Sequence, residues 1–307
     1  MSKDNHKDRS RRRFIGEVCG GIAGTGLLSG GLSGCNPGEF SDYLLAEEED
    51  KVEDRFYESI SGHCRRLEIP EAQSNDFSFV WTSDIHVTRN KPHYINLLGK
   101  YADDHDAAFI LHSGDCVDRG NEDEYIKLIN LLDHHSPVPM ITALGNHDVY
   151  NDGWPRYKKY VGPSVFKFSY AKCEFVFIDT AAGTLGRDQM DWLESALDHS
   201  NKPVRFVLSH YPIYDGSFQT PSSMGNTEER MKLVYLFDEY DVAYFLCGHK
   251  HTGAHYKIRG CKHIIGGAGC PYKTIVEDRQ HLYRFDIRGT EIRKEKVYFE
   301  DLEGYHT

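Results

Sequence analysis

Five short apolar runs, each closing on a residue able to bind a cation, constrain this chain more than any other feature. Phe77–Thr82 leads into Ser83-Asp84-Ile85-His86, and Ala107–His112 into Ser113-Gly114-Asp115. Pro139–Leu144 leads into Gly145-Asn146-His147-Asp148, Val204–Leu208 into Ser209-His210, and Val242–Leu246 into Cys247-Gly248-His249-Lys250-His251. Apolar runs of this length read as strands. Helical segments are expected near His93–Asp103, Glu122–His134, Asp188–Leu197 and Thr227–Glu239. Further strands are expected at Val165–Ser169 and Phe175–Asp179, and residues 254–299 look mainly β. Strands alternating with helices imply an α/β domain. In such sheets ligands gather beyond the carboxyl ends of the strands.

The residue types at those ends carry chemistry. A mixture of carboxylate, carboxamide and imidazole suits Mn, Fe, Zn or Co better than a thiolate site would. Two divalent ions about 3.5–4 Å apart can clamp a phosphoryl group and activate water. The spacing of Asp84/His86 and His249/His251 places each pair on one side if its strand continues. Glycines before Asp115, Asn146 and His249 allow sharp exits from the sheet.

The ordered set Asp84-x-His86, Gly114-Asp115-Cys116-Val117-Asp118-Arg119-Gly120, Gly145-Asn146-His147-Asp148, Ser209-His210 and Gly248-His249-x-His251 resembles the calcineurin-like metallophosphoesterase superfamily. The resemblance implies a four-layer α/β/β/α sandwich over residues 76–307. It implies a metal-dependent phosphohydrolase that cleaves phosphomonoesters or phosphodiesters by in-line attack of a metal-bridging hydroxide. It assigns Asp84, His86 and His251 to a first divalent metal ion, Asn146, His210 and His249 to a second, and Asp115 to both. His147 matches the family's catalytic histidine, Asp118 the acidic partner that orients it, and Arg119 a phosphate-contacting arginine of one branch.

Taken singly, Asp84, His86 and Asn146 read as turn or packing residues, and Asp118-Arg119 reads as a surface ion pair. Five separate accidents in the right order are needed to sustain those readings. Arg119 stays open between the two. His112, His255 and His263 are expected to be packing or surface groups. Asp118 stands where a purple acid phosphatase would carry Tyr, so iron–tyrosinate chemistry is not expected, and Asp148 stands where protein phosphatases carry Glu. Substrate choice falls to loops at 150–160 and 214–226; aromatic residues in the first could stack a base or sugar, or pack as a lid. A non-catalytic metal-binding or interaction module on the same fold is the alternative, and degenerate ligands would mark it.

The N-terminus reads as an address. Ser10-Arg11-Arg12-Arg13-Phe14-Ile15 resembles a twin-arginine export signal, and the eight glycines from Phe14 to Gly34 weaken that stretch as a permanent membrane span. Leu32-Ser33-Gly34-Cys35 resembles a lipobox, so residues 1–34 are expected to be an export signal, Cys35 a lipidation site and residues 35–75 a tether. An exported, membrane-anchored lipoprotein in the periplasm or at the cell surface follows, with the twin-arginine machinery as a partner. A helix is expected over 43–60. The chain carries 36 Lys/Arg against 47 Asp/Glu, which argues against a broad nucleic-acid-binding face but not against an anionic substrate bound through metal ions. The cysteines left in the mature chain form no CxxC pair; a Cys261–Cys270 bridge and plain buried thiols both remain open.

Overall fold

The computed structural model describes residues 49–87, 92–216, 222–269 and 279–303. The proposed export signal, Cys35, Cys270 and loop residues 217–221 lie outside the described residues. Two sheets face each other. The first has the order β11 (Glu291–Tyr298), β10 (His281–Arg288), β1 (Asp76–Thr82), β2 (Ala107–His112), β3 (Met140–Thr142). The second runs β4 (Phe166–Tyr170), β5 (Cys173–Phe177), β6 (Val204–Leu208), β7 (Val242–Cys247), β9 (Cys261–Ile265), β8 (Ala254–Ile258). Strands β1–β3 are mutually parallel, as are β5, β6, β7 and β9; β10, β4 and β8 pair antiparallel with their neighbours.

Alternation along the strands builds three apolar layers. Phe77, Phe79 and Trp81 of β1 point between the sheets, where they meet Phe175, Phe206, Tyr244 and Phe285. Phe79 stacks on Phe285 at 4.8 Å and meets Phe175 edge-on at 5.4 Å. Val80, Ile110 and Leu282 face outward onto α2 (Pro92–Asp104) and α3 (Glu122–His135). Val176, Val207 and Phe245 face outward from the second sheet onto α5 (Arg187–Asp198) and α6 (Thr227–Glu239). The result is the expected α/β/β/α sandwich. Cys116, Cys173, Cys247 and Cys261 are buried free thiols. Among the described residues no helix is long and apolar enough to cross a membrane.

Two local expectations need correction. The tether expected over 35–75 does not extend past Glu49. Helix α1 (Glu49–Ile60) buries Val52 and Phe56, and the buried Arg55 guanidinium donates to both oxygens of Asp179 at 2.7 and 3.2 Å. Downstream, Arg65 N–H donates to the Lys158 carbonyl at 2.8 Å. Residues 150–160, read as a loop, contain helix α4 (Trp154–Tyr160). Pro155 falls in its first turn, where a missing N–H forfeits no helical bond. Tyr157 is fully buried there and donates its hydroxyl to the Thr142 carbonyl.

Candidate metal centre

The strand ends deliver all seven expected ligands to one end of the sandwich. Asp84, His86, Asp115 and His251 are buried, and each offers an atom within 4.8 Å of the others. His86 Nε2 lies 3.2 Å from His251 Nε2 and 3.6 Å from Asp115 Oδ2, and His251 Nε2 lies 3.3 Å from Asp84 Oδ1. A second group adjoins it. Asn146 Oδ1 lies 2.9 Å from His210 Nε2 and 3.1 Å from His249 Nδ1, and those two nitrogens are 3.3 Å apart. Asp115 Oδ2 is 3.3 Å from His210 Nε2, so one carboxylate oxygen touches both groups.

The backbone at these positions is strained. Asp84, His86, Asp115, His249 and His251 all adopt left-handed φ, between 44° and 69°. Such conformations cost of order 1–3 kcal/mol each and persist only where surroundings over-determine them. Here the strands end before the paired ligands, and cross-loop bonds take over. Asp84 N–H donates to Gly114 O, His86 N–H to Asp115 O, and His249 N–H to the Asp84 carboxylate. Gly145 and Gly248 serve close approach: a Cβ would fall 2.2 Å from Asp115 Oδ1 at the first and 2.5 Å from Asp84 Oδ2 at the second.

Asp148, read from sequence only as a branch marker, organises this end of the fold. Its fully buried carboxylate accepts four main-chain N–H groups: Asp115 and Gly145 on Oδ2, Cys116 and Val117 on Oδ1, at 2.8–3.1 Å. It thereby ties the loop after β2 to the loop after β3. Burial and the neighbouring Asp115 push its carboxyl up to about 7, while the Gly145 and Val117 donors pull it down. No sequence signal separated this role from that of an ordinary turn aspartate.

Proton inventory tests whether cations fit. Burial alone would raise Asp84 and Asp115, but His251 beside the first and His210 beside the second hold both carboxyls well below their usual range. His210 Nδ1 sits 2.8 Å from the Ser113 carbonyl, which can only accept. That nitrogen carries the proton, so a neutral His210 aims its Nε2 lone pair at Asn146 Oδ1 and Asp115 Oδ2. Burial works against charging this ring, yet Asp115 outweighs it and raises the pKa to about 9, a demand for positive charge at that spot. Burial and His210 push His249 well below its ordinary value, and burial also lowers His86. Acceptor atoms thus converge on a largely buried site. The donor set therefore suits two divalent cations.

Of the three further expected residues, His147 and Asp118 contact ligands and, among the described residues, Arg119 does not. His147 is buried, and its Nδ1 donates to the Asp118 main-chain carbonyl at 2.7 Å. Its amide N–H donates to Asp115 Oδ1. The Asp118 carboxylate was expected to orient His147; it instead stands 3.4 Å from His86 Nδ1. The chain bends at 117–119, and the Asp118 carbonyl and carboxylate meet different histidines. Arg119 is exposed, and its guanidinium makes no hydrogen bond or ion pair among the described residues. Cys116 and His112 pack together with Thr142 behind the site.

A family model described as calcineurin-like phosphoesterase matches residues 77–253. The chain belongs to that family. A probable cyclic nucleotide phosphodiesterase from Fibrobacter succinogenes is 28% identical over 115 residues, 36% of this chain and 44% of that protein. The purple acid phosphatase PPD1 from yellow lupin (Lupinus luteus) superposes with a TM-score of 0.62 at 17% identity, covering 76% of this chain and 53% of that one. GAP50, the anchor in the inner membrane complex of Plasmodium, superposes with a TM-score of 0.56 at 17% identity, covering 73% and 84%. The chain thus spans less than half of the curated relative and about half of the lupin enzyme, and the two solved structures speak to the fold alone.

Proposed function

We propose that this chain is a metal-dependent phosphohydrolase acting on phosphomonoesters or phosphodiesters. In this reading Asp84, His86 and His251 hold one divalent ion, Asn146, His210 and His249 hold the other, and Asp115 serves both. The observation that carries it is the Asp115 Oδ2 atom, placed within 3.6 Å of imidazole nitrogens from both groups in a buried site. When bound, the ions would supply Lewis acidity and lower the pKa of bound water. The residues supply the rest. The Asp118 carbonyl accepts the His147 Nδ1–H, and in its imidazolium form the ring would pass its other proton, from Nε2, to the departing oxygen and be left neutral. Arg119, exposed and next in the chain to Asp118, would contact phosphate oxygens. The named activity of the Fibrobacter relative supports a diester as one substrate class.

The test is a panel of p-nitrophenyl phosphate, its bis-ester and cyclic nucleotides, run with Mn, Co and Zn. Hydrolysis abolished by a chelator and restored by Mn is expected. A protein that binds two ions yet hydrolyses nothing in the panel would support the alternative, a binding module on the same fold. The complete donor set speaks against that alternative.

We also propose export and lipid anchoring, on the strength of Ser10–Ile15 and Leu32–Cys35 in the expected order. Fractionation tests it. Replacing Arg11 and Arg12 together by Lys should retain the protein in the cytoplasm, and Cys35→Ser should release it from membranes. Unchanged fractionation of both variants sinks the proposal.

A further inference from the structure

Tyr150 follows the single 3₁₀ turn His147–Val149 and reaches back across it. Its hydroxyl oxygen accepts the Asn146 Nδ2–H at 2.8 Å. Its ring leans on His147, with centroids 4.6 Å apart. One side chain thus contacts an expected ligand and the expected proton donor. We propose that Tyr150 is a positioning residue of the metal centre, whose hydroxyl holds the Asn146 carboxamide with Oδ1 turned toward His210 and His249. The inference rests on the metal reading of the site.

A carboxamide has two ends of nearly equal shape, and only the oxygen can bind a cation. His210 Nε2 lies 2.9 Å from Asn146 Oδ1. A cation on Oδ1 would make Nδ2–H a stronger donor. Asn146 is 9% exposed, so that donor needs a protein acceptor, and the Tyr150 hydroxyl supplies it. Outer partners of this kind orient ligands and raise their affinity for metal.

The backbone holding Tyr150 has been built at some expense. Asn151 and Asp152, immediately after it, both adopt left-handed φ, 50° and 57°. Arg156 Nη1 lies within hydrogen-bond distance of the Gly120, Asn151 and Asp152 carbonyls, 2.9–3.1 Å away. Asn151 Nδ2 donates to the Arg119 carbonyl at 3.0 Å. A strained pair held from two sides is the pattern of a turn kept for what it positions.

Tyr150→Phe keeps the ring against His147 and removes only the hydroxyl. Apo wild type and variant are titrated with Mn(II) by calorimetry, and the melting temperature of each apo protein is recorded. Wild type should take up two ions. The variant should keep the affinity of one site and lose about 10–100-fold at the other, with the apo melting temperature falling only by the small amount that one lost hydrogen bond explains. Wild type binding fewer than two ions overturns the metal reading itself. Two ions bound with the same two affinities in the variant overturns the role of Tyr150 alone. Equal losses at both sites, with or without a fall in apo stability, indicate general packing and also overturn it.

Discussion

The Asp118 carboxylate stands 3.4 Å from His86 Nδ1, while its main-chain carbonyl takes the proton of His147 Nδ1. One residue therefore faces a ligand with its side chain and the proposed proton donor with its backbone. Substituting its side chain should touch the first and spare the second. Asp118→Asn should weaken metal binding at the His86 site by about 10–100-fold. His147→Ala should leave metal content intact and cut turnover by about 10²–10⁴-fold. Metal titration and steady-state kinetics on both variants check the division. A His147→Ala protein that has lost its metals, or one with unchanged rate, contradicts it.

Asp148 should matter as much as any ligand, although it touches no metal in this account. Removing its carboxylate leaves four buried N–H groups without an acceptor. Each unsatisfied buried donor costs about 1–3 kcal/mol, so Asp148→Ala should lose well over 3 kcal/mol of stability as apo protein. Urea unfolding monitored by circular dichroism measures it. A loss under about 1 kcal/mol would show that the two loops hold themselves.

Much of this site was legible from sequence, and the reason is physical. Apolar runs that stop abruptly at Asp84, Asp115, Asn146, His210 and His249 mark strand ends, and a parallel sheet brings strand ends together. The four-layer arrangement was implied by the family resemblance; what the structure adds is that Phe77, Phe79 and Trp81 face one layer and Val80 the other. What stayed hidden depends on pairs far apart in the chain or on backbone direction. Arg55 meets Asp179 across 124 residues, and nothing local to either announces the other. An amphipathic helix after an acidic run reads alike whether docked or free, so α1 was taken for part of a tether. Asp118 was expected to orient His147 through its carboxylate, and sequence does not tell such a contact from the main-chain carbonyl contact found. Tyr150–Tyr160 showed aromatics and lysines without a clear period, and only the burial of Tyr157 shows why a helix forms there.

The Arg55–Asp179 pair offers a direct test that α1 belongs to the folded domain. Both side chains are at most 2% exposed. Breaking a buried ion pair on one side typically costs 3–5 kcal/mol because the remaining charge stays buried. Arg55→Met should be destabilised by about that amount in urea unfolding. A variant as stable as wild type would mean that the helix rests on the domain without contributing to it.

His263 sets a pH dependence separate from the metal centre. It is 2% exposed, lies against Phe237 and Phe245, and neither ring nitrogen has a hydrogen-bond partner among the described residues. Burial lowers its pKa from 6.5 to about 4. As pH falls below about 6.5 the unfolded chain takes up this proton before the folded one does, so stability declines. The decline levels off below about 4, after a loss on the order of 3 kcal/mol. His263→Leu should remove that component, so the gap between variant and wild type in urea unfolding should widen from pH 7.5 to pH 4.5. A constant gap across this range would contradict the assignment.

The central claim is that the acceptors converging on Asp115 hold two divalent ions and hydrolyse phosphate esters with them. The most direct measurement is a titration of chelator-stripped protein with Mn(II), with bound metal and hydrolysis of bis-p-nitrophenyl phosphate and p-nitrophenyl phosphate followed in the same samples. The account predicts two ions per chain and hydrolysis that rises with occupancy of the second. One ion or none at saturation, or full occupancy with no hydrolysis of either ester, would contradict it.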